Sequence, residues 1–196
     1  RAAVHIAVTD SLSFVQAASA QGANVTSVTT TGIATTTGNM IAFASVYDAN
    51  FSSVSDSGSH TWTITVGHQS HANCGLNGIR QFYNGNITGS ATHTFTVTLT
   101  ASGFPTAAVA EFSGQATTGT LDQNTSGSDG TSPYNTPDVT TTQADEVLVG
   151  GYAHCGTTSA ITAGTGYTQA TEQEDAANMP VHLEFQIVSA TGAYNA

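Results

Sequence analysis

A chain of 196 residues has the length of one all-β domain, since such units commonly run to about 200–250 residues. It contains no Lys, its only basic side chains are Arg1 and Arg80, and 13 acidic residues leave a formal net charge of -11. That charge repels phosphate backbones and anionic membrane surfaces, so no nucleic acid partner is expected. No apolar run reaches the ~20 residues of a spanning helix, so no membrane span is expected either.

Charged residues make up 8% of the chain, against about 25% in ordinary domains. Thr, Ser, Asn and Gly carry the solubility instead, a composition that suits an extracellular or surface-displayed protein. The sequence starts at Arg1 rather than Met, as expected of a fragment or of a chain whose leader has been removed.

Strand patterns follow one another with no helical stripe between them. In RAAVHIAVTD, Val4, Ile6 and Val8 alternate with small or polar residues. SFVQAAS and NVTSVTTTG are weaker strands, and NMIAFASVYD is apolar enough for a central one. HTWTITV places Trp62, Ile64 and Val66 on one face, after which GIRQFYN forms another weak strand. THTFTVTLT sets Phe95, Val97 and Leu99 against a row of Thr, and TAAVAEFSG is again central. The irregular stretch TSGSDGTSPYNTPD precedes EVLVGGYA, a third central strand, and the weak GYTQATE. PVHLEFQIV closes the series, with Val181, Leu183, Phe185 and Ile187 inward and His182, Glu184 and Gln186 outward. Turns are expected at Ser57-Gly58, Asn84-Gly85, Asp129-Gly130 and Thr191-Gly192. About ten to twelve short strands without helices predict an antiparallel β-sandwich, jelly-roll or immunoglobulin-like.

The order of these motifs, from SFVQAASAQGANVTSVTTTG through VSDSGSHTWTITV, AVAEFSG, DEVLVGGY and AGTGYTQATEQED to FQIVSATGAY, resembles Thr/Gly-rich β-sandwich domains of secreted bacterial and phage-like surface proteins. The resemblance spans roughly residues 12–194 and implies a fold and a strand order, but no catalytic set. Domains of this group usually begin near SFVQ and continue past SATGAY into a last strand. On that comparison residues 1–10 are an N-terminal extension and candidate donor strand, and 11–196 are one domain lacking its final strand.

An absent strand leaves an open edge that templates another chain. The expected function is therefore a non-enzymatic extracellular structural subunit whose partners are copies of itself. Val4, Ile6 and Val8 would add a strand to the neighbouring subunit, building a filament. The competing expectation is that this strand fills the vacancy in its own chain, giving a closed module that binds carbohydrate or a host surface. A metal-dependent jelly-roll enzyme is the third reading.

Chemistry-bearing residues gather in GHQSHANCG and YAHCG: His68, His71, Cys74, His154 and Cys155. They read most simply as a Cys74–Cys155 disulfide, with zinc or copper ligation as the alternative. Asp48, Asp56, Asp122 and Asp129 lie in loops or at strand ends, where oxygen-rich turns hold Ca2+; no other cofactor is expected. Glu111 and Glu184 sit mid-strand and would serve glycoside chemistry only if both faced one groove. Asn24, Asn50, Asn86 and Asn124 head glycosylation sequons. Trp62 reads as core, while Tyr47, Tyr83, Tyr134, Tyr152 and Tyr167 are candidate stacking partners for glycans.

Overall fold

A computed structural model describes residues 2–6, 8–47, 50–70, 78–116, 118, 120–127, 135–153, 161–173 and 180–196. These form fifteen strands and no helix. In chain order they are β1 Ala2–Ile6, β2 Val8–Gln21, β3 Val25–Thr29, β4 Met40–Tyr47, β5 Phe51–Asp56, β6 Thr63–Ser70, β7 Gly78–Asn84 and β8 Phe95–Gly103. They continue with β9 Thr106–Gln115, β10 Leu121–Ser126, β11 Val139–Thr140, β12 Glu146–Ala153, β13 Thr168–Gln173, β14 Val181–Val188 and β15 Ala193–Tyr194. The fold is all-β and every recorded strand pairing is antiparallel.

Two five-stranded sheets, β10-β1-β12-β14-β13 and β2-β9-β4-β7-β6, are joined by a three-stranded sheet β3-β8-β5 and the short pair β11-β15. The sheet built on β9 and β4 lies in the middle, which explains their unbroken apolar runs. Alternate residues of a strand point to opposite faces. Met40, Ala42, Ala44, Ala108, Ala110 and Phe112 join Val147, Val149, Val181 and Leu183 of the first sheet in one core. Ile41, Phe43, Ala107 and Val109 face the other way, into a second core with Phe95, Val97 and Leu99 of β8. A strand covered on both sides needs apolar residues at every position rather than every second one.

Three sequence expectations are corrected here. Ile187, expected inward on β14, is 44% exposed. Ile64 is 54% exposed, because a bulge between Ile64 and Val66 breaks the alternation and turns Thr65 and Val66 inward. His182 and Glu184, expected outward on β14, are buried. The outer face of their sheet carries a cover of its own, in which Leu148 and Val188 pack with Tyr167 and Ala196.

The first strand sits inside the fold. β1 pairs along one side with β12, from Ala2↔Gly151 to Ile6↔Val147. Along the other it pairs with β10, from Ala2↔Ser126 to Ile6↔Leu121, with a register shift between Val4 and Ile6. Within this single chain β1 is thus an internal strand of its sheet, with β10 and β13 at the margins. Residue 10, where the extension was expected to end, falls inside β2, which pairs with β9 of the other sheet. A single residue, Ala7, separates β1 from β2 in sequence.

Candidate functional site

The slot that holds β1 is bounded by β10 and β12, and each wall presents a full ladder edge. Without β1, unpaired N–H and C=O groups would line both walls. The row Leu121–Ile6–Val147 crosses all three strands. Leu121 and Val147 turn into the core, so Asp122, one position after Leu121, and Glu146, one position before Val147, belong to the opposite face. There the Asp122 carboxyl lies near enough to bear on Glu146. Glu146 is fully buried. Asp122 also accepts from the Thr142 backbone N–H at 2.7 Å and from the Thr142 hydroxyl. Burial, and then the neighbouring Asp122 carboxyl, push the Glu146 carboxyl up to about 8. At neutral pH Glu146 therefore holds its proton.

A second cluster joins Asp56, His60 and His93, whose donor atoms all lie within 4.8 Å of one another. Its hydrogen bonds fix where the protons are. The Thr88 N–H donates to His60 Nε2 at 2.8 Å, so that nitrogen keeps its lone pair. The proton of the ring is then on Nδ1, which donates to Asp56 Oδ1 at 3.1 Å. His93 Nε2 lies 3.4 Å from the same oxygen, while its Nδ1 meets the Thr35 hydroxyl at 2.9 Å. Burial raises the Asp56 carboxyl, but the hydrogen bonds from the His60 backbone N–H and ring, with the His93 ring close by, outweigh it and hold it below the ordinary value.

A metal ion would have to take His60 through Nδ1, moving the proton to Nε2, where it would meet the Thr88 N–H head on. Asp56 Oδ2 and His93 Nε2 are buried without hydrogen-bond partners among the described residues, but two donors fall short of a tetrahedral site. The cluster accommodates protons better than a metal. Its ring N–H groups also differ from the all-oxygen shell that Ca2+ takes.

The acids singled out as a catalytic pair stand on different layers. Glu111 Oε1 accepts from the Thr36 backbone N–H at 2.9 Å and from Asn39 Nδ2 at 2.8 Å, and Oε2 accepts from Gln16 Nε2 at 2.6 Å. It clips β9 to β2 and to the 34–39 loop. Glu184 Oε2 lies on the covered outer face and accepts from the Gly164 N–H at 2.6 Å. Beside it, Glu172 accepts from the Ile161 N–H at 2.7 Å. His182 is enclosed between them, 3.9 Å from Glu172 and 3.5 Å from Glu184. These two acids pin the 161–164 segment onto the sheet.

Of the other sequence candidates, His68 is exposed on β6, whereas His71, Cys74, His154, Cys155, Asp48, Asp129 and Tyr134 lie outside the described residues. Val4 and Ile6 fall in β1 and Val8 opens β2. Asn24, Asn86 and Asn124 are exposed and Asn50 is half-buried. Tyr152 and Tyr167 are buried and Tyr83 is half-buried. Trp62 packs edge-on against Phe43 and Phe95.

His60, His93, Glu146, Glu172 and the enclosure of His182 escaped sequence reasoning. The one signal was local: Asp56 and His60 stand four residues apart across a Ser57-Gly58 turn. Comparison of the chain with family models, with curated proteins and with solved structures gave no match.

Proposed function

We propose that this protein is a non-enzymatic extracellular structural subunit that assembles by exchanging its first strand with neighbouring copies. One observation carries the reading: β1 is an internal strand, paired on both sides, although it is the first strand of the sequence. Its partners lie more than a hundred residues away, at Leu121–Ser126 and Val147–Gly151. Such long-range pairing closes late in folding, leaving the β10 and β12 edges open meanwhile. The β1 of a second copy offers those edges the same main-chain hydrogen bonds, so exchange costs little and concentration decides between self-closure and assembly. The acidic, Lys-free composition supports an extracellular or surface location, and a Cys74–Cys155 disulfide belongs with that reading. β7 and β12, the strands next to those cysteines in sequence, meet where Ile79 packs on Gly151.

Electron micrographs of the full chain and of a chain lacking residues 1–6 test the proposal. The full chain is expected to give filaments or long oligomers, and the shortened chain none. Adding the synthetic peptide RAAVHIAVTD should return the shortened chain to compact particles. Identical small particles from both chains would overturn the proposal.

That result would favour a closed, glycan-binding module. A polar cleft of about 280 Å³ lined by Thr61, Thr63, Tyr83, Asn84, Asn86 and Thr120, among others, supports this second reading.

A further inference from the structure

We infer that residues 8–13, seated over Gly114, are the hinge of strand exchange and its reserve of length. Gly114 is the notch that keeps this hinge folded. The biological use of the hinge rests on the assembly proposed above, while its geometry stands apart from it. Strand β1 belongs to one five-stranded sheet and β2 to the other, yet only Ala7 stands between them in sequence. For β1 to leave its slot, the chain must bend beyond Ile6 while the core stays in place. The register of β2 on β9 locates that bend. Val8 pairs with Gln115, and the next pair is Ser13 with Ser113. Five steps along β2 answer two along β9, so β2 carries three residues more than its partner matches.

Opposite this surplus stands bare backbone. Gly114 has a positive φ of 87°, and a Cβ there would lie 2.5 Å from the Ser11 carbonyl oxygen and 3.0 Å from the Leu12 nitrogen. Only glycine adopts that conformation without strain and leaves room for the extra turn of chain. Beyond the surplus the strand is fixed. Leu12 enters the core between the two large sheets. The Ser13 hydroxyl meets that of Ser113 at 2.8 Å. The Phe14 ring stacks on Phe185 at 4.9 Å and stands edge-on to Phe112 at 5.8 Å between centroids.

Drawn out, three residues add about 10 Å of reach, comparable to the spacing of two packed sheets. That length carries β1 towards the slot of an adjoining copy while Leu12, Ser13 and Phe14 hold β2 in place. The β1 ladder is the same in either slot, so the hinge decides between them. Folded over Gly114, it returns β1 to its own chain; extended, it delivers β1 outward.

Two variants of the full chain push the hinge in opposite directions, read by sedimentation and by amide hydrogen exchange at residues 2–6. Deleting residues 9–11 matches β2 to β9 one for one and removes the reserve. This chain should stay monomeric where wild type forms long oligomers, with residues 2–6 still protected. Gly114→Ala fills the notch and strains the backbone until the hinge extends. Its residues 2–6 should exchange about tenfold faster, and its oligomers should appear at lower concentration. Thr168→Ala, on the exposed face of β13, should match wild type. Undiminished oligomers or lost protection in the deletion chain, or a Gly114→Ala chain indistinguishable from wild type, would overturn the hinge. If wild type forms no oligomers but Gly114→Ala still loosens residues 2–6, the assembly fails and the hinge stands. If wild type polymerises and neither variant differs from it, only the hinge fails.

Discussion

Replacing Glu111 by alanine should cost about 3 kcal/mol or more, seen in urea titration as a lower midpoint at unchanged slope. The carboxylate is fully buried and takes three N–H donors, from Thr36, Asn39 and Gln16. Alanine strips all three of their acceptor, and a buried donor without an acceptor costs roughly 1–3 kcal/mol. Glu111→Gln should fall between wild type and alanine. Its amide keeps one acceptor oxygen but presents an NH2 to a donor that previously met a carboxylate oxygen. A Glu111→Ala chain as stable as wild type would mean that β9 is not clipped to the 34–39 loop as described.

Phe43→Ala should be comparably severe, at about 3–5 kcal/mol. Phe43 is fully buried on β4, in the core between the middle sheet and β8. Its ring meets Trp62 at 5.4 Å, Phe82 at 6.1 Å and Phe95 at 6.2 Å between centroids. Removing it leaves a void walled by three rigid aromatic rings on two sheets, which cannot collapse easily. Thermal unfolding followed through Trp62 fluorescence reads the loss. Phe43→Leu, which refills much of the volume, should recover most of it, and equal stability of all three chains would contradict the two-sided packing of β4.

The strand content was legible because period-2 alternation survives wherever one face of a sheet is wet. Phe95, Val97 and Leu99 are buried as their spacing indicated. Alternation misled where a bulge intervened, as at Ile64, and where the outer face acquired a cover, as at His182 and Glu184. A cover made by residues 161–167 and 193–196 is a tertiary fact, and a strand's own pattern cannot announce it. The continuous runs of β4 and β9 signalled burial on both faces, but not which cores they divide. The candidate site was legible only in its first strand. Val4 and Ile6 marked β1 as sheet-forming, but which strands hold it is decided by register with residues 121–126 and 147–151. The Asp122–Glu146 pair is assembled by that same register. Neither acid has a sequence neighbour that foretells the other, which is why Asp122 read as a calcium-type turn acid and Glu146 was not singled out.

The central claim is that β1 is exchangeable between copies, and a paired cysteine reads it most directly. Val4 and Val149 are register partners across β1 and β12. The double variant Val4→Cys, Val149→Cys, oxidised under assembly conditions, should give a ladder of covalent multimers on a non-reducing gel, collapsing to one band on reduction. A single monomer band that holds the internal cross-link, at every protein concentration tried, would contradict the account.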